Sequence, residues 1–167
     1  MKKIILLFVF VLFPFNANAG CDDPIGDGVD YTNCRFSDGQ DLAGSYLPNS
    51  NLSFASFIQV NFDKSIMMNS ILAFGTFSES TFIRTNLYEA NLQGANFENS
   101  DFSSSNLTRA NLSGSTLIGV KLKNANLFEA DFTSANITGA NFENANLNNA
   151  IWTDGRKCGK DSIGICK

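Results

Sequence analysis

From residue 86 to residue 150 the chain reads NLYEA NLQGA NFENS DFSSS NLTRA NLSGS TLIGV KLKNA NLFEA DFTSA NITGA NFENA NLNNA, thirteen five-residue units without insertion or deletion. A period of five fits neither the 3.6 of an amphipathic helix nor the 2 of a half-buried strand. So strict a period means that every unit takes the same conformation and buries the same positions. The chain must therefore turn inward once per unit and coil on itself as a solenoid.

The register runs well beyond those units. From Leu42 to Trp152 every fifth residue is Leu, Phe, Met, Ile or Trp, twenty-three positions without exception. Two residues before each lies a small side chain, Ala ten times and Ser eight. The residue between them is Asn or Asp fourteen times. This unit resembles that of the pentapeptide-repeat family, A(D/N)LXX: Asn91-Leu92 follows Ala90, and Asn126-Leu127 follows Ala125. The resemblance covers roughly residues 29 to 152. It implies an all-β fold, a right-handed quadrilateral β-helix with four pentapeptides per coil and about six coils. It also implies that the large residue points into the core and the small one fills a tight corner. The match is poorest at Ile66, Met67 and Ile71, so local distortion is expected around residues 64 to 74.

If a coil is twenty residues long, residues twenty apart stack. Column one then holds Leu42, Phe62, Phe82, Phe102, Leu122 and Phe142, and column two Leu47, Met67, Leu87, Leu107, Leu127 and Leu147. Column three holds Leu52, Leu72, Leu92, Leu112, Phe132 and Trp152, and column four Phe57, Phe77, Phe97, Leu117 and Ile137. Phe concentrates in columns one and four and Leu in two and three, so like stacks on like and fills a narrow core evenly. Each buried Leu or Phe contributes about 1.5–3 kcal/mol, enough in sum for a cooperative rod.

The two ends depart from the period. Met1 to Ala19 has the three parts of a secretory signal: Lys2 and Lys3, an apolar run from Ile4 to Phe13, and the small residues Ala17 and Ala19 at the cleavage positions. The mature chain would start at Gly20 and work in the periplasm or outside the cell. A second reading takes Ala19-Gly20-Cys21 as the end of a lipobox, with Cys21 a membrane-anchoring lipidated residue, although Asn18 stands where that box has an apolar residue. Residues 20–41 form an acidic N-terminal cap and first partial coil, with Asp22, Asp23, Asp27, Asp30, Asp38 and Asp41 against one base, Arg35. The partial coil stands one residue out of phase with the later units, which implies a bulge near Ser37 to Gln40. The spacing of these aspartates does not match an EF-hand loop, and they read as a solvated cap. Residues 42–152 are the repeat body. Residues 153–167 close the solenoid with a loop, folded over Trp152, that contains Arg156, Lys157, Lys160 and Lys167.

Cys21, Cys34, Cys158 and Cys166 are four cysteines in an exported chain, which points to two disulfides. Of the three connectivities only Cys21–Cys34 with Cys158–Cys166 avoids crossing the whole body.

The chain has no His, no phosphate-cradling Gly loop and no cluster of metal-ligating residues. A narrow filled solenoid offers no cavity for a converging set of catalytic groups. The expectation is a non-enzyme without cofactor or metal. A few members of the family mimic DNA and bind a topoisomerase, which requires a continuous acidic stripe. Here the outward column Glu89, Arg109, Glu129 alternates in sign, and an exported protein would lie across the membrane from such a target. The distinctive surface feature is apolar. Tyr46, Phe54, Ile66, Met68, Ile71, Phe74 and Tyr88 occupy outward slots filled elsewhere by Asn, Ser, Thr and charges, and such clusters often mark interfaces. The functional expectation is thus a scaffold that binds an unknown protein partner through this patch. Neither nucleic acid, nor a membrane span in the mature form, nor self-assembly is indicated.

Overall fold

The structure, a computed structural model, describes residues 21–167. The expected leader and its cleavage site lie outside the described residues.

The chain winds as a right-handed quadrilateral β-helix. Each side of the square is one pentapeptide. Faces one to four carry Leu42, Leu47, Leu52 and Phe57 in the core, with the residues stacked on them. Each side makes an isolated parallel bridge to the side twenty residues on, from Asp41↔Asn61 to Asp131↔Ile151. The first two bridges, Asp30↔Asn51 and Arg35↔Ser56, span twenty-one. The extra residue falls between Phe36 and Asp41, where Gly39 takes a left-handed φ of 76°. Bridging continues unbroken through residues 64–74, with Tyr46↔Ile66 and Asn51↔Ile71 in register. The distortion expected there from the weak motif does not occur. The inward residues Ser65, Met67, Ser70 and Leu72 keep the pattern, and substitutions at outward slots leave the backbone alone.

The unit around Phe62 shows why the pattern holds. Asn61 N donates to Gln40 O of the preceding coil at 2.9 Å, and Phe62 N and Lys64 N donate to Thr81 O and Ile83 O of the next at 2.7 and 2.9 Å. Ser65 N closes the corner onto Phe62 O at 3.1 Å. The remaining amide, Asp63 N, donates to the side-chain oxygen of Asn61 at 2.9 Å. All five backbone donors are thus satisfied, as burial and stacking demand. The corner needs a left-handed residue two after the core position, as at Lys64 with φ 60°, the geometry of a type II turn.

Two aromatic stacks run side by side through the core, beside the leucine columns. Phe57–Phe77–Phe97 and Phe62–Phe82–Phe102 lie ring over ring along the rod, with centroids 4.5–5.4 Å apart. Rings of one stack meet the other edge-on, as Phe97 meets Phe102 at 77°. Phe36 extends the first stack backward by packing at 4.2 Å on Phe57.

Both ends are latched by the disulfides Cys21–Cys34 and Cys158–Cys166. At the C-terminal end the chain folds back antiparallel, bridging Asn146↔Ile163 and Ile151↔Lys157. Carbonyls of Ser162, Cys158 and Arg156 accept from Leu147 N, Asn149 N and Trp152 N, in place of a further coil. The loop therefore caps the edge of faces two and three, and Trp152 is half-buried against Phe132 and Phe142. At the other end Tyr31 Oη donates to Asp23 O at 2.7 Å, and Gly28 N donates to Pro48 O.

Candidate functional site: an uncharged, ridged face

The residues singled out in the sequence do not all reach the same place. Tyr46 and Ile66 are bridge partners on face two, and Ile71 lies on face three; all three are exposed. Phe54 and Phe74 stand at the corner leaving face three, 58% and 54% exposed, their rings stacked at 5.4 Å. Met68 and Tyr88 are half-buried. Tyr88 belongs to a different feature: its hydroxyl accepts from Arg109 Nη1 at 3.2 Å.

Phe54 and Phe74 occupy the left-handed corner position, both with φ 59°. That position suits Gly or Asn, and in this fold it also holds polar side chains such as Lys64, Glu79 and Arg84; Phe54 and Phe74 are the aromatic residues among those at positive φ. Further along the same corner the residues are Gly94, Gly114 and Ser134. The ring of Phe74 leans so far over Gly94 that a Cβ there would lie 2.5 Å from it. Around Gly114 nothing approaches within 4 Å of that point. A groove of about 340 Å³ results, walled by Phe74, Gln93, Ser113 and Thr133 and floored by Gly94, Gly114 and Ser134. Attention to apolar residues alone misses this trough. Its signal lies in the twenty-residue stacking, which sets Phe54, Phe74, Gly94 and Gly114 in one column.

Charge is distributed unevenly around the rod. On the corner between faces two and three, Arg109 bridges Glu89 at 3.3 Å and Glu129 at 2.8 Å. Hydrogen bonds to Glu129 first, then to Tyr88 and Glu89, hold its guanidinium above the ordinary range. Face one carries Lys121 on Asp101 and Lys123 on Glu143. Face three is different. From Asn51 to Gly114 its outward residues and its following corner are Asn51, Ser53, Phe54, Ile71, Ala73, Phe74, Asn91, Gln93, Gly94, Asn111, Ser113 and Gly114, without one formal charge.

Three of the N-terminal aspartates accept hydrogen bonds from within the fold. Asp30 accepts from Thr32 N and Oγ1, which lowers its pKa, the side-chain bond contributing most. Asp27 accepts from Asn49 Nδ2 and Asp41 from Ala43 N. Tyr31 is pushed up, by burial first and then by the charge of Asp23. Among the described residues no helix is long and apolar enough to cross a membrane. Two disulfides suit an oxidising compartment.

The profile described as Pentapeptide repeats matches the chain in eight copies, over residues 41–73, 85–124 and 125–151. No curated protein matches the sequence. Among solved structures the chain is similar to a trypsin-treated variant of QnrB1, a plasmid-mediated fluoroquinolone resistance protein. Identity is 23%, 80% of this chain and 70% of that one are covered, and the TM-score is 0.70. A second trypsin-treated QnrB1 variant gives 21% identity over 75% and 72% of the chains, with a TM-score of 0.54. A pentapeptide repeat protein of the Arabidopsis thaliana thylakoid lumen gives 23% over 68% and 69%, with a TM-score of 0.43. At these identities the likeness establishes the fold alone.

Proposed function

The chain belongs to the pentapeptide-repeat family, and from that premise we propose that it is a non-catalytic scaffold, exported from the cytoplasm, which acts by presenting the patch of Tyr46, Phe54, Ile66, Ile71 and Phe74 to a protein partner. One observation carries the reading: two large aromatic side chains stand exposed at left-handed corner positions that favour Gly or Asn. Long side chains occupy the same corner elsewhere, as at Lys64, Glu79 and Arg84, but those are polar; an exposed aromatic pair among solvated slots is the kind of cluster that marks an interface. Export is supported by the leader-like residues 1–19 and by the two disulfides. The Cys21–Cys34 bond supports a soluble mature form over a lipid anchor, because one sulfur cannot carry both a thioether and a disulfide. A DNA-mimic role at a topoisomerase is disfavoured by the sign alternation of Glu89, Arg109 and Glu129.

The test has two parts. Fractionation of the producing cell places the protein, and cytoplasmic, uncleaved chain would overturn export. The mature protein and a Tyr46→Ser/Ile66→Ser/Phe74→Asn variant are then used to capture partners from envelope extract. The proposal expects bound protein that the variant loses; identical capture by both would remove the patch from the account.

A further inference from the structure

We infer that the C-terminal cap is a membrane-docking tip, which rests end-on against an anionic lipid surface and leaves the long faces of the rod free. The observations behind it lie outside the patch on faces two and three, so it stands whether or not that patch binds a protein.

The cap holds two isoleucines out in solvent. Ser162 is fully buried; its hydroxyl donates to Gly159 O at 2.8 Å and accepts from Lys167 N at 3.1 Å. Where a side chain on Gly164 would lie, Phe142 O and Asn144 N stand at 3.4 Å, so that residue is pressed against the rod. Ile163 and Ile165, each following one of these two, are left outside, 49% and 63% exposed. The Cys158–Cys166 disulfide closes the loop, so both side chains are presented with little left to order on contact. Beyond faces two and three and their corners, the large apolar residues that stand exposed are these two and Ile25.

Charge separates the two ends of the rod and names the occupant. Ile25 stands among Asp22, Asp23 and Asp27, an apolar tip that an anionic surface repels. Ile163 and Ile165 share their cap with Lys157, Lys160 and Lys167, all exposed and, among the described residues, without an ion pair. Arg156 takes up Asp154 at 3.3 Å, which leaves Asp161 as the acid of this cap outside a pair. A protein partner fits such a surface poorly, because lysine is depleted from protein interfaces. At a bilayer the lysine stem lies along apolar surface while its ammonium stays among the headgroups, and aliphatic side chains enter the acyl boundary. The acidic N-terminal cap is about 30 Å away along the rod, several times the Debye length of about 8 Å at physiological ionic strength. It therefore does not cancel the attraction, and it turns the rod upright.

The test sediments the mature, disulfide-intact protein with vesicles of equal parts phosphatidylglycerol and phosphatidylcholine, and with vesicles of phosphatidylcholine alone, at low and high salt. The expected outcome is binding to the anionic vesicles that salt reverses. Lys157→Gln/Lys160→Gln should weaken it by about fivefold per lysine, and Ile163→Ser/Ile165→Ser should weaken it as well. All four side chains are exposed, so these variants should melt with the wild type. Ile25→Ser, at the acidic end, should bind as the wild type does, and so should Tyr46→Ser/Ile66→Ser/Phe74→Asn. Failure to bind anionic vesicles, equal binding to neutral ones, or binding that both cap variants retain in full overturns the inference. So does a loss of vesicle binding in the patch variant with the cap variants unaffected. Capture of a protein through that patch is a separate result, and the proposed function stands or falls on it alone.

Discussion

Asparagine or aspartate before the core position closes many of the turns. At Asn61, Asn91, Asn106 and Asn136 the side-chain oxygen accepts the backbone amide two residues on; where Thr81 takes that place, Ile83 N donates instead to Asp63 Oδ1 of the preceding coil. The period is legible in the sequence because the remaining backbone bonds repeat from unit to unit. Serine at the inward corner is less uniform. Ser80 Oγ donates to Phe57 O and accepts from Val60 N, bridging a corner that has no direct bond. Ser65 Oγ is buried without a partner. Ser80→Ala should cost about 1–3 kcal/mol, while Ser65→Ala should be neutral or stabilising by about 1 kcal/mol; paired thermal melts decide it. At Phe54 two effects compete: left-handed strain of about 1–3 kcal/mol against ring stacking of about 0.5–1.5 kcal/mol. Phe54→Asn should therefore leave monomer stability unchanged or raise it, and a clear fall in melting temperature would show that the ridge serves the fold.

The caps are elements whose existence is readable from four cysteines and whose form is not. The sequence suggests a C-terminal loop folded over Trp152; the antiparallel pairing by which the loop lies along the edge of faces two and three is not legible there. An aperiodic segment carries no register, so only competition for the open edge decides where it lies. Opening Cys158–Cys166 by double Ser substitution should cost about 2–3 kcal/mol, from the loop-closure entropy of so short a ring. Hydrogen exchange should then show loss of protection first at Leu147, Asn149 and Trp152, the amides that the loop serves. The N-terminal coil answers to pH at both extremes. Tyr31 has a raised pKa, so its contribution is complete below about pH 10, the ordinary phenol value, and is lost as pH rises through the raised value. Asp30 has a lowered one, so its contribution is complete above about pH 4 and is lost as pH falls. Protection of the Tyr31 and Asn33 amides, which donate to Asn51 O and Ser53 O, should fall in alkali relative to the intrinsic base-catalysed exchange rate, and Tyr31→Phe should abolish that loss of protection.

At the scale of the whole molecule the rod is one continuous core, and its weakest direction is along the axis. Phe82 lies mid-stack between Phe62 and Phe102. Phe82→Ala should cost about 3–5 kcal/mol and, by severing the contact between coils, spread the unfolding transition measured in denaturant; a sharp single transition of unaltered slope would argue against a one-dimensional stack. Removing Arg109, by contrast, should leave the melting temperature nearly unchanged, because its ion pairs are exposed and screened by solvent. The coil length, the inward residues and the sorting of Phe from Leu were all legible in the chain, because a repeat with uniform hydrogen bonding leaves one way to wind. Which outward residues act together was not. Tyr88 and Ile66 look alike in sequence, yet the first is held by Arg109 and the second stands free. The glycines at 94 and 114 become a trough only beside the ring of Phe74. Burial follows from local periodicity, whereas a surface is defined by neighbours twenty residues apart whose side chains no turn constrains.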